Sequence, residues 1–305
     1  MIALKKLREL TLTAAPSAGR PLHLSAASGL VCLGSAMYVV ADDELHLGVF
    51  STKDDRPGQL VLLFDGALPD EKVARKRHKP DLEALTSLPA FEGFPHGALL
   101  AVGSGSRPNR RRGALLALDL SGAITGAARG LDCSAILAPL ADVFAEVNIE
   151  GAVVVGDELR LFQRGNKQHP DNAIIRYPLA AVIDVVTGTR ADALRPMTID
   201  RFDLGHVDGV PLCFTDATAL PGGDVVFSAV AEDTDDAFND GACVGAAIGI
   251  VGNDGQLRFV RRLDRPYKIE GIHAELDGNR LDLLAVTDAD DPDMAAALYA
   301  ATIAI

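Results

Sequence analysis

The sequence predicts an all-β fold, a single β-propeller over residues 1–305 made of about five four-stranded blades. Three observations carry that expectation. Short apolar runs bounded by Gly, Asp and Asn turns recur along the chain. Every fourth run closes a unit of about 40 to 70 residues, the range of repeat proteins. The phrase Ile-Glu-Gly stands at the same place in two of the units, at Ile149 to Gly151 and Ile269 to Gly271.

The units follow in order. The first holds Gly29 to Leu33, Met37 to Ala41, His46 to Phe50 and Gln59 to Phe64. The second holds Leu82 to Leu85, Gly97 to Val102, Gly113 to Leu118 and a weak run from Ala128 to Cys133. In the third, Glu150 to Val155, Glu158 to Arg164, Ala173 to Tyr177 and Met197 to Asp203 form the set. Asp216 to Leu220, Asp224 to Val230, Ala246 to Ile250 and Gln256 to Arg261 form the fourth. The fifth has only Glu270 to Ala274, Arg280 to Asp288 and Ala297 to Ile303, so Arg8 to Thr13 is expected to supply its outer strand and close the ring. A helix is expected over Ala138 to Glu146, where Leu140, Val143 and Phe144 share a face, and the tract from Val182 to Ala193 reads as another excursion. Asp233 to Asp240 reads as an acidic loop, and the stretch from Ala123 to Asn148 leaves six blades open.

Composition narrows the function classes. A hydrophobic fraction of 48% suffices for one continuous core without disulfide or structural metal. Cys32, Cys133, Cys213 and Cys243 have no zinc spacing and read as buried thiols. With no apolar segment behind the basic N-terminus and none long enough to span a bilayer, a cytoplasmic chain without membrane partners is expected. A formal charge of −13 opposes nucleic-acid binding, and the basic runs lack interleaved aromatics for stacking. Walker, Rossmann and Gly-x-Ser-x-Gly motifs are missing, as are Trp-Asp repeats.

In a propeller the starts of the inner strands share a face with the loops that follow the second strands. That rule gathers Glu83, Glu150, Asp216 and Glu270 with Asp42, Asp43, Ser104, Ser106, Arg164, Asn166, Glu232, Asp233, Asp288 and Asp290. Crowded carboxylates demand a cation, a proton or an arginine between them, and hard oxygen donors suit Ca2+. The bland alternative is that Asp, Asn and Gly cap tight turns. His46, His78, His169 and His206 also fall in loops of this face. His206, followed by Asp208, is the preferred general base because a carboxylate could orient its ring. Two basic runs, Arg75 to Lys79 and Arg107 with Arg110 to Arg112, are expected beside the mouth, either gripping a substrate phosphate or carboxylate or pairing with acidic loops.

The phrases Asn148-Ile-Glu-Gly151 and Lys268-Ile-Glu-Gly271, followed by strands ending in Arg164-Gly-Asn and Thr287-Asp-Ala-Asp290, resemble a bacterial β-propeller family without assigned activity that is allied to the phytase-like esterases. More distantly they resemble gluconolactonase and regucalcin propellers. The resemblance implies a divalent cation at the channel mouth held by Glu150 and Glu270. Unit four departs from it, with Asp216-Ala in place of Glu-Gly, and six blades are usual in the lactonases.

The expected function is therefore metal-assisted hydrolysis of a small ester, lactone or phosphoester. Glu150, Glu270, Asp216 and Asp288 are the expected metal ligands; His206, Asp208 and Arg164 are the expected catalytic residues; Asp42, Asn166, Glu232 and Arg110 are expected to meet a small, acidic substrate. The alternative is a noncatalytic propeller that binds a small ligand or a protein through the same face.

Overall fold

The computed structural model describes residues 1–236 and 241–305; the last four residues expected in the acidic loop lie outside them. Five antiparallel four-stranded sheets stand around one axis, settling the blade number at five. Blade one is Ala27–Leu33, Ala36–Ala41, His46–Ser51 and Gln59–Leu62; blade two is Leu82–Leu88, Ala98–Gly103, Arg112–Leu118 and Ile124–Asp132. Blade three is Ile149–Val155, Glu158–Gln163, Asn172–Pro178 and Thr198–Phe202; blade four is Cys213–Ala219, Val225–Asp233, Ala242–Val251 and Leu257–Arg262. Blade five is Ile269–Asp277, Arg280–Thr287 and Ala297–Ala304, with Lys5–Glu9 as its outer strand.

Burial follows position within a blade. The second strand of blade two, Ala98–Gly103, is apolar on both faces because each packs against a neighbouring blade. Outermost strands such as Leu257–Arg262 carry charge, which blunts an open sheet edge. The core is accordingly divided into five clusters, one at each seam.

Inner strands approach one another so closely that two of them need glycine. A Cβ on Gly271 would sit 2.8 Å from the Ser28 carbonyl oxygen of blade one, and one on Gly151 would sit 3.1 Å from the Asp216 Cα of blade four. Those contacts explain the glycine of the Ile-Glu-Gly phrase.

The ring closes as expected, but with different residues. Lys5–Glu9 pairs with blade five. Leu10 and Leu12 instead enter the seam between blades five and one, where both are buried. Their apolar alternation marks that seam, while the closing strand is largely exposed and carries no apolar signal. The stretch from Ala123 to Asn148 holds the outer strand of blade two and two short helical turns, Ser134–Leu137 and Ala138–Asp142. The second is a 3-10 turn beginning beside Pro139, and Val143 points to solvent, so the continuous helix expected there does not form. The excursion around Val182 is the helix Leu179–Thr187, which Gly188 terminates at φ 83°. A further helix, Lys72–His78, carries most of the first basic run.

Candidate functional site

Each inner strand opens with a β-bulge, and in blades two, three and five the extra residue of the bulge turns into the channel mouth. The register shifts fall between Ile149 and Gly151, between Ile269 and Gly271, and between Leu82 and Ala84, which makes Glu150, Glu270 and Glu83 equivalent. In blade four the shift falls between Phe214 and Asp216. Thr215 is thus the counterpart of the glutamates, and Asp216 stands where blades three and five have glycine and blade two has Ala84. It lies below the funnel, 0% exposed, accepting the Ile272 N–H at 2.8 Å. Burial pushes its carboxyl well above the usual range. Asp216 pins inner strands together and does not reach the position expected of a metal ligand.

The funnel gathers Asp42, Asp81, Glu83, Glu150, Glu232, Asp236, Glu270 and Asp288 against Lys76, Lys79, Arg110, Arg164 and Lys268, eight carboxylates to five cations. The funnel holds about 80 Å³, which is space for two or three waters. Arg164 occupies the centre. Its Nη1 lies 3.4 Å from Glu150 Oε2 and 3.4 Å from Glu270 Oε2, and its Nη2 contacts Glu232, so one guanidinium joins blades three, four and five. Lys79 bridges Asp42 and, at 2.8 Å, Asp81; Lys268 contacts Asp290 and lies 3.7 Å from Glu232 and 3.8 Å from Asp288. Side chains of this chain thus set five cations among the eight carboxylates.

Asp81 and Asp290 hold this network with φ of 58° and 55°, a left-handed conformation costly for a residue with a Cβ. Asp81 collects Lys79, Arg110 at 2.7 Å and Ser104 Oγ at 2.5 Å. Burial alone would raise its carboxyl, yet Lys79 and Arg110 hold it below the usual range. Glu83 differs from its neighbours: among the described residues it has no ion pair or hydrogen bond, and burial, then Glu150, Asp81 and Asp42, push its carboxyl well above the ordinary value. Glu270 is raised the same way, chiefly by burial. Glu150, also raised by burial, accepts from Asn148 Nδ2 at 2.5 Å.

Of the expected site residues, Glu150, Glu270, Asp288, Arg164, Asp42, Asn166, Glu232 and Arg110 all line the funnel. Asn166 faces it while spanning Glu146 and the backbone of Gln168 and His169. His206 and Asp208 do not. They belong to the hairpin His206–Val207 and Val210–Pro211, whose turn is Asp208-Gly209 with φ of 50° and 83°. Gly-His-Val-Asp-Gly is a two-residue hairpin signal, and His206 is exposed. No histidine lines the funnel among the described residues.

Sequence reasoning placed Lys79 beside the mouth only as the end of a basic run, and gave Asp81 and Lys268 no role in the site. The last two were legible: Asp81 and Lys268 stand two residues before Glu83 and Glu270, as Asn148 does before Glu150, and alternate residues of a strand share a face. Among the four free cysteines, Cys133 and Cys213 are buried, whereas Cys32 and Cys243 are only half-buried. Burial pushes the Cys32 and Cys133 thiols up to about 12, which excludes a thiolate nucleophile at either.

The raised acids make stability pH-dependent. Burial, then Asp43, pushes Glu44 up to about 7 against the pull of Arg75 and Arg20, and burial pushes Asp288 up to about 8 despite Lys268. Both bind protons more tightly folded than unfolded, where they titrate near 4.5 and 3.8. Their contribution is therefore complete below those values and is lost as pH rises towards 8. Calorimetry should show a melting temperature roughly 5 °C higher at pH 5 than at pH 8. An equal or higher value at pH 8 would show that these groups are solvated.

Among the described residues no helix is long and apolar enough to cross a membrane. Two solved structures illustrate the fold. The α-L-arabinofuranosidase of Podospora anserina, crystallised with cellotriose, is 12% identical over 99% of this chain and 96% of that chain, at a TM-score of 0.51. A candidate glycoside hydrolase from Parabacteroides distasonis is 12% identical over 98% and 96%, also at 0.51. At such identity the likeness establishes the propeller alone. No curated protein shows significant similarity to the chain. Residues 23–303 match the profile of DUF6929, a family of unknown function, and the chain belongs to that family.

Proposed function

We propose that the funnel is the active site of a hydrolase acting on a small ester, lactone or phosphoester, with Glu83 as its general acid. The observation that carries this reading is Glu83 itself, among the described residues a carboxyl without an ion pair, at the mouth of a channel where Asp42, Asp81, Glu150, Glu232, Glu270 and Asp288 each have one. Its raised pKa favours the protonated form, which a leaving oxygen would draw on. Glu150, held by Asn148 and Arg164, is the base that takes the proton from the attacking water. Arg164, Lys79 and Lys268 supply the positive field in which negative charge develops on the substrate oxygen. The resemblance of the Ile-Glu-Gly phrases to esterase and lactonase propellers supports this substrate class.

A cation between Glu150 and Glu270 fits poorly, because a guanidinium already lies against both carboxylates. One other set favours a metal: Asp42, Asp81 and Glu83 each offer an oxygen within 4.8 Å of the others. Those residues would hold Ca2+ if Lys79 swung aside, and the ion would polarise substrate or water. The test is a panel of esters, lactones and phosphoesters, run with chelator and with added Ca2+. Turnover that survives chelation and fades at alkaline pH supports Glu83 as the acid, and turnover that requires Ca2+ supports the metal set. No turnover on any member sinks the hydrolase and leaves a binding propeller.

A further inference from the structure

Beside the funnel, and sharing Arg110 with it, a larger cavity of about 360 Å³ opens between the loop after Gly103 and the segment from Ala141 to Val147. That size lies in the range of small-molecule sites, roughly 300–1,000 Å³, whereas the funnel is far smaller. One wall is basic. The 3-10 turn Pro108–Arg110 brings Arg107, Arg110 and Arg111 to it, while Phe144 and Val147 form an apolar wall. The groove's charges are three guanidiniums against Glu146 and Asp236, an excess of one positive charge, where the funnel has an excess of three negative.

The arginines are not alike. Arg110, 3% exposed, is fixed by Asp81 at 2.7 Å, Ser106 Oγ at 3.1 Å and the Lys76 carbonyl at 2.9 Å, so it serves the funnel's own network. Arg112 turns away and stacks on Phe64, 4.2 Å from the ring centroid. Arg111 lines the groove, and among the described residues its side chain makes no ion pair or hydrogen bond. Its guanidinium fork matches carboxylate and phosphate geometry, so an oxyanion entering the groove meets a cation not already committed to an acid.

We propose that this groove is an anion subsite, seating a carboxylate or phosphate of the substrate on Arg111 and Arg107 while the bond to be cleaved lies over Glu83. The inference rests on the hydrolase reading and narrows it to acidic small molecules. Titration calorimetry of the full chain with inorganic phosphate, and separately with malonate, tests it without needing turnover. Saturable binding with a dissociation constant of about 1 mM or tighter is expected, weakening as salt is raised. The stronger of the two probes identifies the anion. Arg111→Gln should weaken binding about tenfold. Arg111→Lys, which keeps the charge but loses the fork, should fall between the two. Glu83→Gln should leave it unchanged.

If neither anion binds, or if a folded Arg111→Gln variant binds as well as the parent, the subsite is wrong. If the anions bind through Arg111 and yet no ester, lactone or phosphoester is hydrolysed, the hydrolase reading fails and the subsite stands.

Discussion

Replacing Arg164 with Met is expected to cost about 3–5 kcal/mol of folding stability, the usual penalty for stripping a buried ion cluster of its cation. Glu150, Glu232 and Glu270 arrive from three blades and meet at this one guanidinium. Burial would by itself lower the arginine's pKa, but the three carboxylates raise it well above normal, so the positive charge is present at every accessible pH. Without it, three acids share a dry space with Lys268 as the nearest cation to Glu232. Urea unfolding at two pH values separates charge from packing. Protonating the glutamates relieves their repulsion, so the loss should shrink markedly from pH 8 to pH 5. Arg164→Lys should fall between, since an ammonium cannot fork to several carboxylates at once. A loss below about 1 kcal/mol, the range of an exposed pair, or one identical at both pH values, would mean that the cluster is not held by Arg164.

Glu83→Gln is expected to lower turnover by about 10²–10⁴-fold, the span attributed to a positioned acid, while leaving melting temperature unchanged or slightly higher. The asymmetry follows from its surroundings. Glu83 makes no ion pair, so the isosteric amide breaks nothing, and the shift imposed by burial and by Glu150 shows that its charged form is unfavourable there. In the parent, activity should decline as pH rises through the pKa of Glu83, and the residual activity of the variant should lack that limb. Full activity in a folded Glu83→Gln protein would remove the acid from the mechanism.

Much of the architecture was legible before any coordinates. The unit from Glu150 to Asp203 fell within a few residues of the observed third blade, because its runs alternate or stay apolar over strand length and end at Gly, Asp or Pro. The closing strand was misplaced because Lys5–Glu9 is an exposed edge with almost no apolar signal, while Leu10 and Leu12 have one and spend it in a seam. His206 and Asp208 drew attention as a chemical pair, yet an Asp-Gly step in a two-residue hairpin is local turn chemistry that needs no site.

By itself the sequence determined the repeat, a ring of about five blades and the face on which the acidic strand openings gather, since these depend on the period of apolar residues and on turn chemistry within a few positions; the exact count came from the sheets. Only the tertiary structure decided that Thr215 rather than Asp216 is the counterpart of the glutamates, that Arg164 lies against both Glu150 and Glu270, and that Glu83 has no ion pair or hydrogen bond among the described residues. Those outcomes depend on a one-residue bulge and on distances between charges from different blades. Coulomb energy in a buried funnel is set by separations of a few ångströms that no spacing along the chain encodes.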